Sequence, residues 1–202
     1  LSAINAKYIH SNPAVYSLYA YATSKLKDMS DKVPEIIICE HTINNHIDEI
    51  LEDIYTKQPD VIGFSCYIWN ITFVDMLIKE INKLLPNTHI WVGGPEVSYR
   101  AMDYLRDMPM VKGVIIGEGE ETFYQLVRAY EANSPGKPDS IKGIVFYDDN
   151  NVIRNNGYGP VMNLDHIPFF YNDLDAFSNR IIYYESSRGC PFSCSYCLSS
   201  ID

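Results

Sequence analysis

Three cysteines lie close together near the end of the chain, at Cys190, Cys194 and Cys197, with the spacing C-x3-C-x2-C. Three thiolates at this spacing converge on one metal centre when the chain wraps around it. Gly189 and Pro191 suit the tight, non-helical loop that such wrapping needs. Thiolates are soft ligands that select zinc, copper(I) or iron–sulfur clusters. The three cysteines therefore predict a metal site.

The number of cysteines bears on which metal is held. A structural zinc site needs four protein ligands, and the nearest preceding histidine, His166, lies far from the cluster in sequence. An ordinary ferredoxin supplies four thiolates, whereas a four-iron cluster with three leaves one iron open to another ligand. Zinc and three unrelated reduced cysteines stay open as alternatives. Disulfides are disfavoured, because three cysteines pair poorly and no extracellular signal is visible.

The segment from Cys190 to Cys197 resembles the signature of the radical S-adenosylmethionine (radical SAM) enzymes, C-x3-C-x-aromatic-C, with Tyr196 at the aromatic position. The resemblance implies that Cys190, Cys194 and Cys197 hold a [4Fe–4S] cluster. It also implies that S-adenosylmethionine chelates the open iron beside Tyr196 and is cleaved to a 5′-deoxyadenosyl radical. The strand-like run 181–185 stands where this family has the first strand of a TIM-like barrel.

Apolar runs and helical periods alternate over residues 1–132. The apolar runs show little polar alternation, which is typical of strands buried on both faces of a parallel sheet. They are Leu1–Asn5, Glu35–His41, Asp60–Cys66, His89–Gly93 and Lys112–Gly117. The first intervening segment opens with Asn12 as a helix cap and Pro13 at its first position. We predict an α/β domain with a Rossmann-like, doubly wound, five-stranded parallel sheet.

The chain changes character after this domain. A turn-forming stretch closes the domain after residue 132, and a β-hairpin is predicted from Gly143–Tyr147 and Asn151–Arg154. The rest of residues 133–180 shows no period and predicts an ordered linker. Residues 181–202 are expected to begin a radical SAM domain that the sequence truncates.

Small and polar residues lie at the carboxyl ends of three of the predicted strands, where ligands bind in open α/β sheets. They are Ser65 at the end of the third strand, Gly93 and Gly94 at the end of the fourth, and Gly117, Glu118 and Gly119 at the end of the fifth. Their order resembles the cobalamin-binding domain of the B12-dependent radical SAM proteins, which include anaerobic magnesium-protoporphyrin IX monomethyl ester cyclases and methyltransferases. The resemblance implies that Ser65, Gly93 and Gly94 line a crevice for the nucleotide tail and that residues 117–120 close one side.

Two features distinguish this chain from other cobalamin-binding and radical SAM proteins. The mutases carry D-x-H-x-x-G after the first strand, whereas residues 5–10 here read NAKYIH. We therefore expect no lower axial histidine from this motif, and His10 is the alternative ligand. Cys39 and Cys66 are isolated and are interpreted as small buried hydrophobic residues, which argues against the methylthiotransferases with a second cluster.

Charge excludes some partners. The chain carries 16 basic and 26 acidic residues, a net charge of −10, which disfavours nucleic acid because phosphate neutralisation dominates that affinity. No apolar run approaches the roughly 20 residues that span a membrane, and no leader is visible. We expect a cytoplasmic protein with a small-molecule substrate and a low-potential electron donor such as a flavodoxin or ferredoxin.

These patterns predict the N-terminal part of a B12-dependent radical SAM enzyme that performs methyl transfer or oxidative cyclisation on an unactivated carbon. No residue is assigned as a catalytic acid, base or nucleophile. The chain starts at Leu1 and looks trimmed, and a TIM barrel needs about 250 residues, so we expect the fragment alone to be inactive. The alternative is a radical SAM protein whose N-terminal domain no longer binds cobalamin and only docks a substrate or partner.

Overall fold

The computed structural model describes residues 1–27, 34–131, 138–171, 173–190, 192, 194 and 195. Its centre is one sheet with the strand order β2-β1-β3-β4-β5-β6-β7. The strands are β1 (Ser2–Asn5), β2 (Cys39–Thr42), β3 (Val61–Ser65), β4 (His89–Gly93), β5 (Val111–Ile115), β6 (Ile144–Tyr147) and β7 (Ile153–Asn155). The first five are parallel, which confirms the predicted doubly wound α/β architecture.

Helices cover both faces of the sheet. They are α1 (Pro13–Leu26), α2 (Ile47–Lys57), α3 (Ile71–Leu84), α4 (Pro95–Ser98), α5 (Ala101–Asp107) and α6 (Glu120–Glu131). The larger core joins α2, α3 and α5 to one face, with Ile50, Leu77 and Leu105 fully buried. On the other face α1 packs against α6. The short helices α4 and α5 have no counterpart in the predicted elements.

The first helix begins as its sequence predicts. The Asn12 side chain accepts a hydrogen bond from the Val15 backbone N–H at 3.4 Å, and Pro13 occupies the first turn. An N-cap of this kind satisfies one of the backbone donors that the first helical turn leaves without a partner. The cap fixes the start of α1 directly beyond the carboxyl end of β1.

The predicted hairpin is present, but it extends the sheet. β6 pairs antiparallel with β5, and β7 with β6, so the sheet has seven strands where the sequence predicts five. Ile144 and Phe146 are buried against Trp91 and Leu126. Burying these side chains requires β6 to lie beside β5. The hairpin therefore covers a strand edge that would otherwise expose its backbone groups.

The chain after β7 returns across the carboxyl end of the sheet. Tyr171 and Phe177 are buried there and pack against Tyr16 of α1. Ile181 forms a single parallel bridge to His10, and no strand is assigned to described residues 182–190, so the predicted strand over 181–185 is limited to that bridge. Among the described residues, no helix is long and apolar enough to cross a membrane.

Candidate functional site

A cavity of about 2170 Å³ opens at the carboxyl end of the strands and continues between the sheet and α6. Its walls include Val61, Gly63 and Ser65, which alternate along β3, and Phe123 and Tyr130 of α6. Pockets for drug-sized ligands have volumes of about 300–1,000 Å³. This cavity is larger, and it offers room for an extended ligand with a bulky part at the mouth.

Two glycines leave part of the sheet face of the cavity without projecting side chains. In the register of β3 and β4, Gly63 pairs with Trp91 and Ser65 with Gly93. A Cβ atom on Gly63 would meet only a Leu1 methyl group at 3.4 Å, and one on Gly93 would meet the Ile115 Cβ at 3.4 Å. A side chain fits locally at either position but would extend into the cavity, so the two glycines create the trough.

Gly94 is required by the backbone itself. Its φ is +112°, and a Cβ there would lie 2.4 Å from the carbonyl oxygen of Cys66. No side chain fits at such a separation, and the positive φ disfavours one as well. Gly94 therefore lets the loop after β4 cross the loop after β3 closely at the cavity mouth.

Ser65 belongs to a hydrogen-bonded group that ties three loops together. The Asn12 side-chain amide donates to the Ser65 hydroxyl at 3.2 Å, and the Asn70 amide donates to the carbonyl oxygens of Ser65 and Ile4, both at 2.9 Å. Asn70 is buried, and its contacts hold the ends of β1 and β3 together. The cavity rim is thus fixed by side-chain amides.

The loop after β5 supplies the opposite wall. Gly117, Glu118 and Gly119 all line the cavity. Gly117 has a φ of +70°, and the Glu118 carboxylate accepts a hydrogen bond from the Met162 backbone N–H at 2.8 Å. The structure thus brings Ser65, Gly93, Gly94 and this loop around one cavity; whether they bind a cofactor stays a prediction.

Glu120 begins α6 beside this loop and is buried, with 4% of its surface exposed. The Ser17 hydroxyl donates to it at 2.7 Å, and Arg188 donates to both of its carboxylate oxygens. Burial alone would raise the pKa of Glu120, but the hydrogen bonds from Arg188 and Ser17 lower it overall. Sequence reasoning did not identify Arg188; its only signal was a lone cation beside the cysteine cluster.

The inner end of the cavity carries polar groups that the sequence analysis also missed. The Tyr130 hydroxyl accepts a hydrogen bond from the Trp91 indole N–H at 2.8 Å and lies 3.0 Å from the His89 Nδ1. Burial lowers the pKa of His89 and raises that of Tyr130 to about 12. All three residues line the cavity, and both rings are held in their neutral forms near pH 7.

Two of the three clustered cysteines are described. Cys190 is exposed and lines the cavity mouth, and Cys194 is half-buried; neither forms a disulfide bond. Cys197 and Tyr196 lie outside the described residues. No group of three metal-binding side chains occurs within the part of the chain that is described, so the cluster remains a prediction from the sequence.

His10 does not itself line the cavity, but it contacts Tyr183, which does. Its Nδ1 lies 2.5 Å from the Tyr183 hydroxyl, and the two rings stack. Tyr67 lines the cavity and stacks on Trp69 with ring centroids 4.4 Å apart. Tyr8, by contrast, is largely exposed on the same rim.

Of the two isolated cysteines, Cys66 is fully buried, and burial raises the pKa of its thiol. Cys39 is half-buried, and burial raises its pKa as well. A thiol with a raised pKa is mostly protonated near pH 7 and is a poor nucleophile and metal ligand. This agrees with the interpretation of Cys66 as a small buried residue, whereas Cys39 is only half-buried.

Comparison with protein families matches residues 4–127 to the B12 binding domain. Among curated proteins, the chain is 25% identical over 161 residues to the anaerobic magnesium-protoporphyrin IX monomethyl ester cyclase of Cereibacter sphaeroides, covering 74% of this chain and 26% of that protein. It is 32% identical over 167 residues to an uncharacterized methyltransferase of Pyrococcus horikoshii, covering 76% of this chain and 34% of that protein. It is 27% identical over 154 residues to the cobalamin-dependent radical SAM methyltransferase TokK of Streptomyces tokunonensis, covering 69% and 22%. The chain thus spans about a quarter to a third of these relatives.

Comparison of folds gives a consistent result. The cobalamin-dependent S-adenosylmethionine radical enzyme OxsB, solved with aqua-cobalamin and S-adenosylmethionine bound, superposes with a TM-score of 0.75 at 20% identity. The match covers 97% of this chain and 28% of OxsB. At this identity the likeness establishes the fold alone.

Proposed function

This chain belongs to the B12-binding domain family, and from that premise we propose that its cavity binds cobalamin. The observation that carries the proposal is the trough at Gly63 and Gly93, which leaves a sheet face open where an ordinary α/β domain is packed. Interiors are normally close-packed, so an opening of this size beneath α6 favours a ligand-binding role. A domain that only docks a partner protein would not require such a cavity.

The residues of the cavity suit a ligand with an elongated, largely apolar tail. Gly63 and Gly93 offer bare backbone along the trough, and the Ser65 hydroxyl offers a hydrogen-bonding group near its mouth. At the inner end, Tyr130 and His89 offer polar groups to a heterocyclic base. Loops fixed by Asn12 and Asn70 would hold the bulky ring system at the mouth without rearranging.

We also propose that the full-length protein is a radical SAM enzyme acting on a small molecule by methyl transfer or oxidative cyclisation. Cys190, Cys194 and Cys197 would hold a [4Fe–4S] cluster, with S-adenosylmethionine bound beside Tyr196. Cobalamin would supply methyl transfer or electron transfer, and the protein would fix geometry and exclude water. The activities for which the cyclase and TokK are named support this class of chemistry.

The position of Cys190 supports this pairing of cofactors. Cys190 lines the mouth of the same cavity as Ser65 and Gly94, so a cluster held there would lie near the proposed cobalamin site. A low-potential donor such as a flavodoxin or ferredoxin would reduce the cluster, in an anaerobic cytoplasm. His10 is bonded to Tyr183, and we propose that no histidine of this domain ligates cobalt from below.

The test is an absorbance titration of the purified full-length protein with hydroxocobalamin. We expect saturable binding at one equivalent, with a shift of the corrin bands. Anaerobic iron–sulfide reconstitution should also give a broad absorbance that is lost in Cys194→Ala. If the corrin bands do not shift and cobalamin does not co-elute with the protein in gel filtration, cobalamin binding is refuted. A colourless reconstituted protein would refute the iron–sulfur cluster.

A further inference from the structure

We propose that Arg188 is a positioning residue. It couples the loop that carries Cys190, Cys194 and Cys197, called here the metal-binding loop, to the cavity wall at Glu118 and Glu120. Binding of the iron–sulfur cluster and binding of cobalamin would then strengthen each other. The inference rests on the proposed function. It concerns a residue that lines the cavity and acts through the carboxylates that it holds.

The guanidinium of Arg188 is held by three carboxylates. It donates to Glu118 at 3.0 Å, to the two oxygens of Glu120 at 2.5 and 3.0 Å, and to Glu185 at 2.9 Å. Only 18% of the Arg188 side chain is exposed. A planar guanidinium presents its donors in a fixed fork, so these contacts define the orientation of the side chain as well as its position.

Two of these carboxylates belong to the cavity wall. Glu118 and Glu120 both line the cavity, Glu120 begins α6, and the Ser17 hydroxyl of α1 donates to Glu120 at 2.7 Å. Arg188 is therefore attached to the two helices that cover one face of the sheet. Movement of this wall moves the anchor point of Arg188.

The backbone of Arg188 leads directly into the metal-binding loop. Cys190 is two residues away, and because two extended residues span at most about 7 Å, the anchor limits where its thiolate lies. Cys190 also lines the cavity mouth. A wall held in one position by a bound ligand therefore restricts the loop, and a loop ordered by a cluster restricts the wall.

Electrostatic repulsion between the carboxylates favours their ion pairs with Arg188. Without Arg188, Glu118 and the buried Glu120 would lie close together with no cation between them. Removing one partner of a buried ion pair leaves an uncompensated charge, which costs several times more than losing an exposed pair. The wall and the loop are thus joined by an interaction that resists opening.

Coupling of this kind is reciprocal and can be measured as a ratio of affinities. The full-length protein is prepared anaerobically in cluster-loaded and metal-free forms, and each is titrated with hydroxocobalamin. We expect the loaded wild-type protein to bind about 5- to 150-fold more tightly than the metal-free form, the range typical of allosteric coupling. In Arg188→Gln the ratio should fall to about 1, and Arg188→Lys should restore part of it.

Arg154→Gln is the matched control, because Arg154 pairs with Asp148 on an exposed surface. It should keep the wild-type ratio. A wild-type ratio near 1, or an unchanged ratio in Arg188→Gln, would overturn the inference, and if Arg188→Gln does not fold the Arg188→Lys ratio decides. Loss of cobalamin binding in both wild-type forms would instead refute the proposed function.

Discussion

Arg180 donates to both carboxylate oxygens of Glu40, at 2.5 and 3.0 Å, although 140 residues of chain separate the two. Only 13% of each side chain is exposed. The same carboxylate accepts hydrogen bonds from Tyr16 at 2.5 Å and from Asn5 at 3.0 Å. This ion pair fastens the segment that leads to the cysteine cluster onto the carboxyl end of β1 and β2.

Arg180→Gln should destabilise the protein by about 2–3 kcal/mol, because it leaves the Glu40 carboxylate largely buried without its cation. Urea unfolding followed by circular dichroism measures the change. Arg106→Gln is the control, since Arg106 pairs with Asp103 on an exposed helix surface, and it should cost at most about 0.5 kcal/mol. Equal losses in the two variants would contradict a structural role for the Arg180–Glu40 pair.

Stability should fall in acid partly through Glu40. Burial would raise its pKa, but hydrogen bonds from Arg180, Tyr16 and Asn5 lower it overall. A carboxyl group with a lowered folded-state pKa contributes stability that is complete above its unfolded pKa of about 4.3 and is lost as the pH falls through the folded value. Glu40→Gln should therefore flatten the decline in unfolding free energy below about pH 4.3. An unchanged slope would contradict this assignment.

Gly94→Ala should destabilise the domain by about 2–4 kcal/mol, because φ is +112° and the new Cβ would lie 2.4 Å from the Cys66 carbonyl oxygen. Gly93→Ala, one residue earlier, adds a Cβ at ordinary contact distance from Ile115 and should change stability far less. Thermal unfolding of the two variants provides the comparison. Equal melting temperatures would show that the loop after β4 relaxes around a side chain.

The proposal that no histidine of this domain ligates cobalt from below has a spectroscopic test. The electron paramagnetic resonance spectrum of bound cob(II)alamin should be the same in wild-type protein and in His10→Ala, because the His10 ring nitrogen contacts the Tyr183 hydroxyl and His10 does not itself line the cavity. Loss of a nitrogen superhyperfine splitting in His10→Ala would identify His10 as an axial ligand and contradict the proposal.

Local signals were sufficient to predict much of the fold. The Asn12–Pro13 start of α1, the five parallel strands and the hairpin turn all follow from short-range sequence patterns. The pairing of β6 with β5 was not predicted, because a hairpin sequence does not specify which edge it joins. A short helix such as α4 has too few residues to show a period.

Some residues of the candidate site were predicted from local sequence patterns, and others were not. The glycines after β4 and β5 were found because glycine marks places where backbone must approach closely or adopt a positive φ. The partners of Arg180 and Arg188 were not found, because they come from Glu40 and Glu120, which are distant in sequence. An arginine without a periodic neighbour gives no local sign of the carboxylate that it will meet.

The claim that the trough at Gly63 and Gly93 binds cobalamin is decided by the affinity of the full-length Gly93→Leu variant for hydroxocobalamin. The leucine side chain would extend into the cavity, whereas Gly93→Ala adds only a methyl group beside Ile115. We predict that Gly93→Leu weakens binding at least about 30-fold, that Gly93→Ala changes it by less than about 3-fold, and that both keep the wild-type melting temperature within a few degrees. Wild-type affinity in folded Gly93→Leu would contradict the claim.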